Sequence, residues 1–268
     1  MNKRQVRHQK IQALLVERQL IGVRELAQIL GCSEATLRND LREMEKSSLI
    51  KRSHGGVLSN SEADSSHDEA LEVQKNEKKA IAQYVVDHIL KNNDTIVLDT
   101  GTTTLILAEY ISKSSLELNI VTNSIETASI LTKNKKLVII VPGGEYDSHL
   151  DTLDTSESVE FYKKIHADYY FMTCNGIDPK DGFTVPYTKM IPIKQVIRNQ
   201  VTSTIVLADS SKIGQVTTRK ICGLNEVDML IVDNGCTEIQ KKSLLETDLD
   251  IRFAQMEKVG VYSQSMEL

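Results

Sequence analysis

From residue 95 onward the chain repeats one pattern: short apolar runs, too brief for helices, alternate with longer amphipathic stretches. The runs are TIVLD (95–99), LNIVT (118–122), KLVIIV (136–141), YYFMTC (169–174), STIVLAD (203–209) and MLIVD (229–233). Between them lie segments with helical spacing, such as TTLILAEYI (103–111) and SIETASILT (124–132). A strand apolar along its whole length is covered on both faces. Strands of this kind joined by helices form a largely parallel sheet within an α/β layer structure.

The first 58 residues follow different rules. Val6, Ile11, Leu14 and Leu15 fall near helical spacing within 3–18, and Val23, Leu26, Ala27 and Leu30 sit at i, i+3, i+4 and i+7. Gly31-Cys32 reads as a tight turn. Ser33 then stands where a hydroxyl can cap a third helix, 33–46, by accepting from the backbone N–H of Ala35 or Thr36. Leu37, Leu41 and Met44 form the buried stripe of that helix, and LIKRSHGGVL (49–58) follows as a basic hairpin with a Gly-Gly turn. Helix, helix, turn, helix and basic hairpin make a winged helix-turn-helix. The expected organisation is therefore a DNA-binding domain over 1–58, a polar linker over 59–71 and an α/β domain over 72–268.

Charge divides at the same place. The first 60 residues hold 11 Lys and Arg against 6 Asp and Glu, whereas the rest hold 21 against 31. A cationic head on an anionic body suits a head that meets a polyanion. No apolar run reaches the roughly 20 residues of a membrane span. No apolar segment follows the basic start, so a secretory signal is not expected. Cys32, Cys174, Cys222 and Cys236 are widely spaced, without the pairs of a zinc site. The expectation is a cytoplasmic protein with no metal or cofactor.

The third helix offers Ser33, Glu34, Thr36, Arg38, Asn39 and Arg42 as its polar positions, and the hairpin adds Arg52 and His54. Arginine suits guanine edges or phosphates, asparagine suits adenine, and hydroxyls set register on phosphates. Against this, Arg38 and Arg42 can instead pair with Glu34, Glu45 or Asp40 on a solvated face. The segment resembles the DNA-binding signature of the DeoR family of bacterial regulators. Leu26, Ala27, Leu30, Ser33, Thr36, Arg38, Asp40, Leu41, Arg52, His54, Gly55 and Gly56 carry the likeness. Asn39 stands where that family often has a second arginine. Double-stranded operator DNA is the partner this implies.

In the second domain, Asp99, Gly101, Thr102, Thr103 and Thr104 lie where a strand meets a helix. Open backbone N–H groups there suit a phosphate, and a capped strand-to-helix turn is the alternative. Thr122, Asn123 and Ser124, then Gly143 and Gly144, Asn175 and Gly176, and Asp209 with Lys212 follow other strands. Carboxyl ends of parallel strands are where such sheets bind ligands. These segments also resemble the DeoR-type sensor domain, related in fold to ribose-5-phosphate isomerase. That resemblance implies a phosphorylated sugar effector, with its phosphate at Gly101 to Thr104 and Lys212 nearby. It also places Lys194 at a basic position of the family. A glutamate common before that position is missing, and Tyr187, Thr188 and Lys189 occupy the stretch. The expected effector is accordingly unusual or more anionic.

Three functions compete: a ligand-controlled repressor, a sugar-phosphate isomerase with a basic extension, and an architectural DNA-binding protein. An isomerase needs a placed general base, and the missing glutamate weakens that reading. The expectation is a repressor of carbohydrate genes. It acts as a dimer or tetramer, because one short helix reads few base pairs.

Overall fold

The computed structural model describes residues 3–17, 20–46, 50–53, 56–59, 71–148, 150–186 and 188–256. The N-terminal part runs α1 (Lys3–Glu17), β1 (Leu20–Ile21), α2 (Val23–Leu30), α3 (Glu34–Lys46), β2 (Ile50–Ser53) and β3 (Gly56–Ser59). Its strands form an antiparallel sheet in the order β1-β3-β2. Gly56 sits where a side chain would lie 2.4 Å from the Ile21 carbonyl, so only glycine lets β3 close on β1. The core is Ile11, Leu15, Ile21, Leu26, Ala27, Leu37, Leu41, Met44, Ile50 and Val57. This is the winged helix-turn-helix layout, with the expected stripe of α3 buried.

One polar residue was placed on the wrong face. Asp40, one of three outward partners offered to Arg38 and Arg42 by the alternative reading of this helix, is 3% exposed. It accepts from Arg7 Nε at 2.7 Å and Nη2 at 3.2 Å. It lies i+3 from Leu37 and i−4 from Met44, on the stripe that faces the other helices. Burial of its charge is offset by the guanidinium that α1 supplies.

The second part begins with α4 (Lys75–His88) and continues β4 (Thr95–Leu98), α5 (Thr102–Lys113), β5 (Asn119–Thr122), α6 (Ile125–Leu131) and β6 (Val138–Ile140). Then come α7 (Ser156–Tyr162), β7 (Ala167–Thr173), β8 (Gly176–Asp178), β9 (Gly182–Val185), α8 (Met190–Arg198) and β10 (Val201–Ala208). The last elements are β11 (Arg219–Cys222), β12 (Met229–Asp233), α9 (Glu238–Leu245) and β13 (Asp250–Ala254). Seven strands form one sheet in the order β13-β12-β10-β7-β4-β5-β6, and every pairing is parallel. β8, β9 and β11 make a small separate antiparallel sheet.

The pleat sorts side chains into two cores. Ile96, Leu98, Phe171, Ile205, Leu207 and Ile231 face the core closed by α4 and α5. Val97, Tyr170, Met172, Val206, Leu230 and Val232 face the other, closed by α7, α8 and the small sheet. The chain starts the sheet at β4 and steps outward through β5 to β6. It returns on the far side of β4 with β7 and continues to β13. Strand order therefore reverses between β4 and β7, and their carboxyl ends diverge into the crevice where such sheets hold ligands.

Candidate effector and DNA sites

Helix α3 presents one polar face. Ser33, Thr36, Arg38, Asn39 and Arg42 are all exposed. Ser33 caps the helix: its Oγ accepts from the Thr36 N–H at 3.2 Å and lies 2.9 Å from the Thr36 hydroxyl. Glu34 holds Arg38 at 3.4 Å and Arg24 at 3.4 Å, which leans both guanidinium groups toward the start of the helix. Contacts this exposed are worth little and exchange readily for a phosphate. Gly31 adopts the left-handed conformation, φ +63°, that ends α2. The Cys32 N–H then reaches the Ala27 carbonyl at 3.1 Å, fixing the turn between the two helices. Arg52 lies on β2, whereas His54 falls outside the described residues.

At the crevice, Asp99 ends β4. The Thr173 N–H and hydroxyl, at the end of β7, donate to its carboxylate at 2.7 and 2.9 Å. Lys194, carried in by α8, closes an ion pair with the same oxygen and donates to the Thr173 carbonyl at 3.2 Å. Lys194 and Asp99 are 1% and 2% exposed. Thr173 was not singled out in the sequence; its strand read as apolar, and only the register of β7 on β4 reveals it.

Beside this pair, α5 begins at Gly101 without any side-chain cap. Leu105 N–H turns back to the Gly101 carbonyl at 2.9 Å, leaving the N–H groups of Thr102, Thr103 and Thr104 as the free end of the helix. The three threonines differ. Thr104 is 0% exposed, and its hydroxyl donates to the carbonyls of Asp99 at 2.8 Å and Gly101 at 2.9 Å. Thr102 and Thr103 have no such internal partner among the described residues. A side chain at Gly101, φ +153°, would lie 3.0 Å from the Thr173 hydroxyl, so glycine lets the turn pass over β7. An uncapped helix start with open amides suits an anion.

The remaining residues take varied places. At the end of β10, Asp209 accepts from the Ser211 N–H at 3.0 Å, and Lys212 Nζ lies 3.9 Å from it. Both lysines act on Cys174 in the crevice floor, where burial nonetheless pushes the thiol up to about 12. Gly176 opens β8, where a side chain would lie 2.5 Å from the Gln215 carbonyl; Asn175 pairs by its N–H with the Thr184 carbonyl at 2.9 Å. Gly143 and Gly144 are exposed beside the start of α7: the Ser158 hydroxyl donates to the Gly143 carbonyl at 3.2 Å.

The end of β5 is covered by the loop over 145–155. The Thr122 hydroxyl accepts from the Ser124 N–H at 3.2 Å, and Ser124 caps α6 by accepting from Thr127 N–H at 2.9 Å. The Ser124 hydroxyl also donates to Asp151, which takes a further hydrogen bond from Tyr146 at 2.9 Å. Asn123 donates through Nδ2 to Thr152 at 2.8 Å and to Asp154. Lys189 does not add charge to the crevice: it is exposed and pairs with Asp147 of this loop at 3.8 Å. Tyr187 lies outside the described residues.

Comparison with known proteins decides the family. Residues 7–63 match the DeoR-like helix-turn-helix domain and residues 73–234 the DeoR C terminal sensor domain. The chain belongs to the DeoR family. This DeoR-family chain is a DNA-binding transcription regulator with an effector-sensing domain. It is 31% identical to the HTH-type transcriptional regulator GolR of Listeria innocua, over 93% of this chain and 98% of that one. It is 30% identical to the lactose phosphotransferase system repressor of Staphylococcus epidermidis, over 90% of this chain and 96% of that one. A solved ribose 5-phosphate isomerase from Plasmodium falciparum matches at a TM-score of 0.37 and 18% identity, over 51% of this chain and 52% of its own. Among the described residues no helix is long and apolar enough to cross a membrane.

Proposed function

We propose that this regulator is a cytoplasmic, homo-oligomeric repressor of carbohydrate genes, released from operator DNA by a sugar phosphate bound at the β4–β7 crevice. In this reading residues 1–58 bind DNA, 59–71 link, and 72–268 sense. Ser33, Thr36, Arg38, Asn39, Arg42, Arg52 and His54 meet the duplex. The effector phosphate sits on the amides of Thr102 to Thr104, beside Lys194 and within reach of Lys212.

The observation that carries the effector assignment is the uncapped start of α5 next to a buried lysine. A phosphate supplies the acceptors that the sequence withholds there. The names of two relatives, a lactose phosphotransferase system repressor and the transcriptional repressor CsqR of Escherichia coli, agree with repression as the output. Catalysis is not part of this reading. Asp99, the carboxylate nearest the seat, is already engaged by Lys194 and by two donors of Thr173, so it is not poised to take a substrate proton.

Thermal unfolding with inorganic phosphate and with a panel of sugar phosphates tests the assignment. Ligands that bind the folded state raise the midpoint. The wild type is expected to respond and Thr103→Val to respond less, because its branched methyl crowds the anion while removing a hydroxyl. A wild type insensitive to every phosphate would reject the effector class.

A further inference from the structure

Beneath the Asp99–Lys194 pair lies a group of polar atoms with nothing to bond. Among the described residues, seven buried side-chain nitrogen and oxygen atoms lack a hydrogen-bond partner; four are Asn123 Oδ1, Asp154 Oδ2, Tyr162 OH and Tyr170 OH. These four belong to one place. Asn123 donates to Asp154, and the Tyr162 phenol is under the influence of both Asp154 and Asp99. The Tyr170 phenol is under that of Asp99, toward whose carboxylate it leans without closing a full hydrogen bond, and of Tyr162 and Asp154. Tyr162 and Tyr170 are 0% exposed and Asn123 is 1% exposed. Asp154 itself is half-buried, so the group has an outer edge. Orphaned buried polar atoms are rare in folded proteins, and a cluster of them marks a place for something that completes their hydrogen bonds.

We infer that Asp154, with Asn123, Tyr162 and Tyr170, forms an inner compartment of the effector site that takes the hydroxyl groups of the ligand's carbon chain. This rests on the phosphate seat proposed above, and it assigns the other end of the same molecule. The unmet atoms decide the chemistry. Asp154 Oδ2 and Asn123 Oδ1 are acceptors, so the visitor must donate. A phosphomonoester dianion, which only accepts and carries like charge to Asp154, is disfavoured in this compartment. An ammonium would donate as well, but it could not accept from the two phenols. Hydroxyls both donate and accept, so they match the two acceptors and the two phenols alike.

Asp154 also supplies a carboxylate to a pocket whose sequence suggested that one was missing. Sequence reading did not find it, because the residue lies in a loop and is tied to the end of β5 by Asn123, distant in sequence.

Calorimetric titration of the full chain tests the inference with three probes. They are inorganic phosphate, an amino-sugar phosphate, and the tightest member of a panel of pentose, hexose and hexitol phosphates. In Asp154→Ala and Tyr170→Phe the tightest panel member is expected to lose about tenfold or more in affinity, the loss of one to two hydrogen bonds to a buried or charged partner. Inorganic phosphate is expected to bind both variants as it binds the wild type. Asp154→Asn, which keeps the shape and one acceptor, is expected to fall between. Equal losses for inorganic phosphate and panel member would mean a merely structural residue and would overturn the inference, as would no loss for either. An amino-sugar phosphate binding the wild type more tightly than its hydroxyl counterpart would overturn the choice of neutral hydroxyls. A wild type that binds no phosphate at all would remove the seat and the compartment together; phosphate binding with unchanged sugar preference would remove the compartment alone.

Discussion

Lys194 is held in the protein interior by a single carboxylate and one backbone carbonyl. Removing one member of such a pair strands the other. Lys194→Met is expected to cost about 3–5 kcal/mol of stability. Adding Asp99→Asn should restore much of that, because no charge is then left unpaired. Urea unfolding of the two variants measures the difference, and equal losses would mean the pair is not coupled. Asp154 has the opposite sign. Burial, with Asp99 adding to it, holds its carboxyl above the ordinary 3.8. The folded state therefore binds that proton more readily than the unfolded chain. The stability this gives is complete below the ordinary value and is lost as pH rises through the folded one, so the ionised group opposes folding at neutral pH. Asp154→Asn is expected to unfold at a higher temperature than wild type at pH 7, with the advantage shrinking on acidification. A constant difference across pH would contradict the assignment. The thiols offer a simpler check. Burial pushes Cys174 up to about 12 and Cys222 and Cys236 each up to about 11, whereas Cys32 is only half-buried. A thiol reagent should therefore titrate Cys32 first and the other three only on unfolding. At this scale the sequence showed residue types but not their partners. Asp99, Lys194 and Lys212 were legible as candidates from their strand ends and from family likeness. Thr173, Asp154, Tyr162 and Tyr170 were not, since nothing local to each records which distant strand or loop it meets.

Elements were easier to read where their stabilisation is local. The cap at Ser33 and the stripe of Leu37, Leu41 and Met44 are adjacent in sequence, so the bounds of α3 followed directly. Ser33→Ala is expected to cost about 1 kcal/mol in the N-terminal part, read from its melting transition. Gly31→Ala is expected to cost about as much again, because its left-handed backbone disfavours any side chain. Arg38→Ala faces solvent and should leave stability within about 0.5 kcal/mol while weakening operator binding. A variant that melts early as well would make Arg38 structural. The six apolar runs became six parallel strands; in β4, β5 and β12 continuous burial demands continuous apolarity, whereas β6 is apolar but lies at the exposed edge. The small sheet of β8, β9 and β11 was missed because its strands have three or four residues and β11 pairs with β9 across a long gap. The edge strand β13, DIRFA, was missed because polar residues alternate through it. Asp40 was misjudged because its charge outweighed its place on the helix, although a strict helical count puts it on the buried stripe.

For the whole molecule, the separation of charge agrees with the separation of cores. The N-terminal part packs around its own ten-residue core, and the sheet divides two others. Edge strand β6 and the residue after it keep Val138, Ile140 and Val141 exposed, at 55%, 37% and 37%. An open apolar edge invites pairing with another chain. Together with the short reading helix, it supports the proposed oligomer. Val138→Lys should shift the sedimentation equilibrium toward monomer and weaken binding to a two-fold operator more than to a half-site. The central claim is that the cationic N-terminal part grips DNA through α3 and a phosphorylated metabolite at the β4–β7 crevice loosens that grip. Fluorescence anisotropy with the chain's own upstream DNA, over a range of salt and with sugar phosphates added, tests it most directly. The account predicts an affinity that falls steeply with salt as counterions are displaced, and a further drop with an effector in wild type that is blunted in Thr103→Val. DNA affinity indifferent to salt, or an identical effector response in the two proteins, would contradict it.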